Sequence, residues 1–147
     1  MKYDYIITGM GLAGLQLAFQ MSQDSFFDDK TILLIDKNEK KTNDRTWCFW
    51  EGEKGKWDSI LHHQWQKGLF KSEVNSVTFP IHYKMIQGID FYNYIIHQLS
   101  EKPQFIIINE KVLTIKEFDN RAIVNTKNQQ FEATYCFDSI FHYEQYT

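Results

Sequence analysis

A chain of 147 residues has the size of one domain, and its 16 basic and 19 acidic side chains, net charge −3, are interspersed rather than blocked. There is no basic footprint for nucleic acid, Cys48 and Cys136 stand far apart without metal-ligand spacing, and no run approaches the roughly 18 to 20 apolar residues of a membrane-spanning helix. These features exclude a nucleic-acid binder, a disulfide scaffold, a metal site and an integral membrane segment, and they fit a reducing compartment. The start, Met1-Lys2-Tyr3-Asp4, runs directly into an apolar stretch that is too short and wrongly flanked for a signal peptide, so a cytoplasmic location is expected.

In chain order, Tyr3 to Thr8 predicts a short strand that ends at a glycine turn. Leu12 to Ser22 predicts a helix whose Leu12, Leu15, Leu17, Ala18, Phe19 and Met21 make a broad apolar face. Thr31 to Asp36 (TILLID) reads as a parallel strand buried on both faces and ending in an acid. A charged loop, Lys37 to Arg45, leads into the aromatic hexapeptide Thr46 to Glu51, whose weak alternation leaves its local structure open. Trp57 to Gln66 is expected as a short helix, and Leu69 to Phe79 and Ile81 to Ile86 as strands divided at Pro80. From Gly88 to Ser100, Phe91, Ile95 and Leu99 recur at four-residue steps beside Tyr92 and Ile96, which predicts a second helix. Phe105 to Asn109 is a further buried-type strand. Lys111 to Phe118, Arg121 to Lys127 and Gln130 to Phe137 form a meander with turns at Asp119-Asn120 and Asn128-Gln129.

The chemistry lies first in Gly9-Met10-Gly11-Leu12-Ala13-Gly14. A diphosphate needs backbone N–H groups at close range and a helix N-terminus aimed at its charge, and side chains would block that approach. The first glycine makes the tight turn, the second admits the diphosphate, and the third lets helix and strand pack closely. Asp36 follows 22 residues beyond Gly14, at the tip of the second strand, where the ribose hydroxyls of a dinucleotide would lie. An acid there argues against a 2′-phosphorylated ligand. The expected fold is therefore α/β, a Rossmann-like FAD/NAD(P)-binding unit with a β-meander and a β-rich insertion. The material inserted after Asp36 favours FAD over NAD by analogy of fold.

Asn43-Asp44-Arg45-Thr46-Trp47-Cys48-Phe49-Trp50-Glu51 is the most unusual stretch. Together with the glycine turn and Leu34-Ile35-Asp36, it resembles the lycopene cyclase family of carotenoid biosynthesis. Tyr83-Lys84-Met85-Ile86, Gly88-Ile89-Asp90-Phe91-Tyr92 and Ala133 to Ser139 resemble further family segments in the same order. The resemblance implies a flavoprotein that cyclises the ends of linear lycopene to β-ionone rings through a carbocation, without net redox change. It also implies reduced FAD, NAD(P)H as the reductant, and peripheral attachment to the inner face of a membrane.

Cofactor-binding candidates are Gly9, Gly11, Leu12, Ala13, Gly14, Asp36 and Arg45, the last pairing with FAD phosphate or holding its loop near the flavin. Trp47, Phe49 and Trp50 are candidate walls of a dry substrate pocket, since aromatic faces stabilise a cation without trapping it; packing between subdomains is their plainer role. Glu51 is either an acid in that pocket or a surface carboxylate, and His62 and His63 read as exposed loop histidines.

The family's proteins are more than twice this length, and their proton-donating acid is expected outside this chain. The 147 residues are therefore expected to form the N-terminal part of an FAD-binding domain, with 52–86 assigned to a partial substrate subdomain, and to be inactive alone. Phe141 to Glu144 carries no strong structural signal. Two other classes stand beside the cyclase: a flavin monooxygenase or epoxidase, and a nonenzymatic nucleotide-binding module.

Overall fold

The computed structural model describes residues 2–140; the expectation for Phe141 to Glu144 lies outside them. The chain divides into two compact units, one built from residues up to Lys40 together with those from Ile95 onward, the other from Lys41–Tyr94.

The first unit is a six-stranded sheet with a helix. Strand β1 (Lys2–Thr8) runs through the glycine turn into helix α1 (Leu12–Gln23). The α1 face is the predicted one at Leu15, Ala18, Phe19 and Met21, which are buried, while Leu12 and Leu17 are half-buried. Asp24 ends the helix in extended conformation, and its side chain accepts from Phe26 N to start a one-turn 3₁₀ helix, Ser25–Phe27. Strand β2 (Ile32–Asp36) is buried at every position, as a strand covered on both faces requires.

The chain returns to this unit through the end of helix α2 (Gly88–Ser100), whose Ile95 and Leu99 are fully buried. Strand β8 (Phe105–Asn109) then joins β2, and β9 (Val112–Phe118), β10 (Arg121–Thr126) and β11 (Gln130–Asp138) form the meander. The sheet order is β8-β2-β1-β11-β10-β9, parallel from β8 to β11 and antiparallel beyond. Ile6, Leu33, Ile35, Val112, Val124, Phe131 and Ala133 make a core cluster between parallel strands and meander.

The second unit holds strands β3 (Thr46–Glu51), β4 (His63–Trp65), β5 (Gly68–Lys71), β6 (Ser76–Phe79) and β7 (His82–Gln87). Strands β3, β7 and β4 form a three-stranded antiparallel sheet, and β5 and β6 a separate hairpin. Two expectations need correcting. Trp57 to Gln66 is no helix: it holds one 3₁₀ turn, Asp58–Ile60, followed by β4, because its apolar residues are too few for a helical face and the β7 edge supplies hydrogen-bond partners. Leu69 to Phe79 is not one strand but a hairpin, turned where Ser72 N donates to the Asn75 carbonyl at 2.7 Å and Asn75 N to Ser72 Oγ at 3.1 Å. His63 accordingly lies in a strand rather than a loop, although it is exposed.

Candidate functional site

Strand β1 pairs with β2 on one side and β11 on the other. The chain leaves β1 towards β2 and returns on the opposite side, so the C-terminal end of β1 is a topological switch point, where open α/β sheets leave a crevice for ligands. The glycine turn lies at that end. Gly9 N donates to the Ile35 carbonyl at 2.8 Å, which carries the ladder one residue past the strand.

The three glycines are there for different steric reasons. Gly9 has φ +87°, a left-handed conformation, and a Cβ on it would stand 2.6 Å from Ser139 Oγ. A Cβ on Gly14 would fall on the Gly9 carbonyl oxygen, so this position is where helix and turn press together. Gly11 is the opposite case: a Cβ there would meet nothing within 4 Å, and its backbone, at φ −80° and ψ −164°, suits any residue. Nothing among the described residues requires a glycine at 11, whereas a ligand lying against the backbone would.

Helix α1 begins at Gly11 with no side-chain cap and no acid in its first turn. Its first intrahelical bond runs from Leu15 N to Gly11 O at 3.0 Å, which leaves the Leu12, Ala13 and Gly14 N–H groups pointing out of the helix start. This is an electropositive backbone pocket suited to an anion.

Asp36 ends β2 nearly buried. Its Oδ2 accepts from Met10 N at 2.7 Å and lies 3.3 Å from Lys40 Nζ, and its Oδ1 accepts from Asn38 N at 3.0 Å. The carboxylate thus ties the turn to β2, and its two oxygens keep further lone pairs for a hydroxyl donor.

Three residues that sequence reasoning gave no role hold the turn from the other side. Thr8 Oγ1 donates to Asp138 Oδ1 at 2.6 Å, and Asp138 Oδ1 accepts again from Ile140 N at 3.0 Å. Ser139 N donates to the Thr8 carbonyl at 2.9 Å, and Ser139 Oγ lies 2.8 Å from the Thr8 carbonyl and 3.0 Å from that of Gly9. Asp138-Ser139 belonged to a segment with family resemblance, but only the strand order, which places β11 beside β1, shows what these side chains grip.

In the second unit, Arg45 is exposed, with Nη1 donating to the Asp44 carbonyl at 3.1 Å and its own carbonyl accepting from Gly88 N at 2.7 Å. Tyr92 Oη donates to Asp44 Oδ1 at 2.8 Å. The aromatic hexapeptide is strand β3, so its side chains alternate. Trp47, Phe49 and Glu51 share the half-buried face, and Trp50 lies on the other, exposed one. Trp47, Phe49 and Trp50 therefore cannot form a single pocket wall.

The ring of Trp47 meets those of Phe91 and Tyr92, with centroids 5.1 and 5.7 Å away, whereas Trp50 packs on Tyr83 at 4.5 Å. Glu51 is half of an ion pair: Lys84 Nζ, fully buried, lies 2.8 Å from Glu51 Oε2, 2.7 Å from Asp58 Oδ1 and 2.9 Å from the Glu53 carbonyl. Among the described residues, no group of three or more His, Cys, Asp or Glu is placed to hold a metal, and no helix is long and apolar enough to cross a membrane.

A glycine turn at a switch point, an acid beside it and a meander closing the sheet define a Rossmann-like FAD/NAD(P)-binding fold. The sequence matches the model of the family described as "Lycopene cyclase protein" over residues 4–142, and the chain belongs to that family. Among solved structures, the fold is similar to p-nitrophenol 4-monooxygenase PnpA from Pseudomonas putida DLL-E4, at 12% identity and TM-score 0.73, covering 93% of this chain and 40% of that one. It is similar also to halogenase PltM in complex with phloroglucinol and FAD, at 14% identity and TM-score 0.65, covering 94% and 34%. A third is P. aeruginosa PqsL in complex with 2-aminobenzoylacetate, at 6% identity and TM-score 0.68, covering 92% and 42%. The chain thus spans between 34% and 42% of the length of these three structures. A comparison with curated protein sequences gave no match.

Proposed function

We propose that this chain is the FAD-binding part of a lycopene cyclase, which closes the ends of linear lycopene into β-ionone rings by protonation, carbocation cyclisation and proton loss, without net redox change. The observation that carries the reading is the unfilled space over Gly11 at the start of an uncapped helix, in a member of this family.

The residues present fit the cofactor. The N–H groups of Leu12, Ala13 and Gly14 would receive the diphosphate, Gly11 would let it reach the backbone, and Asp36 would accept from ribose hydroxyls while still holding Met10. Arg45 would pair with a phosphate or orient its loop towards the cofactor. Reduced FAD, renewed by NAD(P)H, would supply negative potential that stabilises a developing cation. The unit 41–94, which contains the stretch 52–86, would begin the substrate-binding part, with Trp47 and Phe49 on one face of β3. Glu51 is bound to Lys84 through its Oε2, and the proton donor is expected outside this chain, as the family resemblance implies. A hydrocarbon substrate is held in lipid, and the reading includes peripheral attachment to the inner, cytoplasmic face of a membrane.

Gly11→Val tests the cradle because a Cβ at this position meets no described protein atom within 4 Å. The variant should keep the melting temperature of the free chain and lose FAD binding, measured by quenching of flavin fluorescence and by thermal shift. Undiminished FAD affinity would remove the phosphate-cradle reading. For the whole protein, incubation with lycopene and reduced flavin should give an isomer of unchanged mass; a product heavier by oxygen would favour a monooxygenase or epoxidase instead.

A further inference from the structure

Lys84 is the one fully buried lysine among the described residues, and its place in β7 alternates with buried Ile86 on the half-buried side of the small sheet. Its ammonium has an acceptor for each of its three hydrogens, in Glu51, Asp58 and the Glu53 carbonyl. Glu51 ends β3, and Glu53 and Asp58 belong to the stretch that follows it. The rest of that stretch is organised around them. Gly55 N donates to Asp58 Oδ2 at 3.0 Å, Ile60 N donates to the Trp57 carbonyl at 3.0 Å, and a Cβ on Gly55 would collide with the Glu51 carboxylate.

The stretch carries one large apolar side chain to a defined place. The Trp57 ring lies edge-on to Phe91, centroids 5.3 Å apart, and also meets Tyr94 at 6.3 Å. Trp47 meets the same Phe91 at 5.1 Å, so Phe91 is held by two indoles and is 1% exposed. Both carboxylates that grip Lys84 are about one-third exposed, so water reaches the outer side of the charge cluster but not the lysine.

We propose that residues 52–60 are a strap latched by the buried Lys84 ammonium, and that Lys84 is a positioning residue: it seats Trp57 over Phe91, and release of the latch uncovers an aromatic surface of Phe91 and Tyr94 that takes a flat, apolar, conjugated molecule. The physical basis is an asymmetry of anchors. The strap's backbone hydrogen bonds from Asp58 N to Gly55 O and from Ile60 N to Trp57 O run within itself, whereas Asp58 and the Glu53 carbonyl reach Lys84 of the sheet and Trp57 reaches Phe91 and Tyr94 of α2. A charge cluster is all-or-none here, because a buried ammonium tolerates the loss of neither partner well. The class of ligand rests on the function proposed above; the strap itself does not.

The test uses the 147-residue chain with Lys84→Met, Lys84→Arg and Asp58→Asn, and reads amide hydrogen exchange peptide by peptide. Exchange in 52–60 should rise at least tenfold in Lys84→Met, with α1 and β2 unchanged, and Lys84→Arg should recover part of the protection. Should Lys84→Met fail to fold, Asp58→Asn, at a partly exposed position, carries the same expectation. Protection of 52–60 equal to that of the native chain in folded Lys84→Met or Asp58→Asn overturns the latch.

The second readout is fluorescence of 1,6-diphenylhexatriene, an apolar conjugated probe. It should bind the released variants several-fold more tightly than the native chain, and Trp57→Ala should reproduce the gain. A faster-exchanging strap with unchanged probe binding would overturn the ligand surface. Neither readout involves flavin, so failure of FAD binding and failure of the strap are separate results.

Discussion

At the scale of single residues, the three glycines of one motif should respond differently to the same change. Gly14→Ala sets a methyl group on the Gly9 carbonyl and should cost about 3 kcal/mol in urea unfolding, the upper part of the usual overpacking range. Gly11→Ala should leave stability within about 1 kcal/mol, since it meets open space. If both variants unfold at the same urea concentration as the native chain, the tight contact at Gly14 is wrong.

The two thiols should likewise separate. Cys48 is exposed, whereas burial, helped by the charge of Asp138, pushes the Cys136 thiol up to about 11. At pH 8 a disulfide reagent should titrate one thiol quickly and the other much more slowly until denaturation; two equally fast thiols would contradict the half-buried position of Cys136.

The residue scale also shows what could be read beforehand. Gly9, Gly14 and Asp36 were legible because their roles are local: a turn, a close approach and a strand tip at fixed spacing. Thr8, Ser139 and Lys84 were not, because each gains its meaning from a partner distant in the chain, and a threonine, a serine or a lysine in a strand has no local signature for that.

At the scale of elements, both helices and the meander followed from period and turn residues, while the material between β2 and α2 did not. Trp57 to Gln66 and Leu69 to Phe79 are short pieces whose form is set by pairing with β7 or with each other, and pairing leaves a weak trace in composition. The alternation of β3 was faint because aromatic residues occupy both of its faces.

The charge cluster beneath the 52–60 segment gives this element a pH dependence. The Lys84 ammonium donating to Asp58, and then the Gly55 N–H, hold the Asp58 carboxyl below its usual range; the positive form of His82 acts in the same sense. Burial pulls Lys84 down, but its hydrogen bonds to Asp58 and Glu51 outweigh this and hold it above its usual value. The stabilisation from Asp58 is therefore present above the ordinary carboxylate pKa and is lost as pH falls through the depressed one. That from Lys84 is present below the ordinary lysine pKa and is lost as pH rises through the raised one. The near-ultraviolet circular dichroism of Trp57, taken as native minus Trp57→Ala, should be flat through neutrality and decline in acid, and Asp58→Asn should remove much of the acid step. A profile that Asp58→Asn leaves unchanged would count against the cluster as its cause.

At the scale of the whole molecule, stability should concentrate where the sheet is covered. Phe131, buried in the cluster shared by meander and parallel strands, should cost about 3–5 kcal/mol when cut to alanine. The hairpin of β5 and β6 is the converse: Leu69, Phe70, Val77 and Phe79 are all exposed, with Leu69 on one face and the other three on the opposite one. Apolar surface of this extent is uncommon on a free monomer. If the proposed membrane attachment uses it, Leu69→Ser with Phe70→Ser should lower the fraction of chain that floats with anionic lipid vesicles at least threefold while leaving FAD binding intact. Equal flotation would place the attachment elsewhere.

The grip of Ser139 on the carbonyls of Thr8 and Gly9 joins positions 131 and 130 residues apart. During synthesis, β1 and its glycine turn leave the ribosome well before β11, and their second hydrogen-bonding edge stays bare until β11 emerges and pairs beside them. Closure over so long a loop is slow and late, and until then β1 is an unprotected edge able to pair with a neighbouring chain. A chain stopped at Asn128 should therefore be recovered as aggregate or as a species without nucleotide affinity, although it retains the entire glycine motif. The nucleotide site, contiguous as text between Gly9 and Asp36, is as a physical object complete only once β11 and Ser139 have been made.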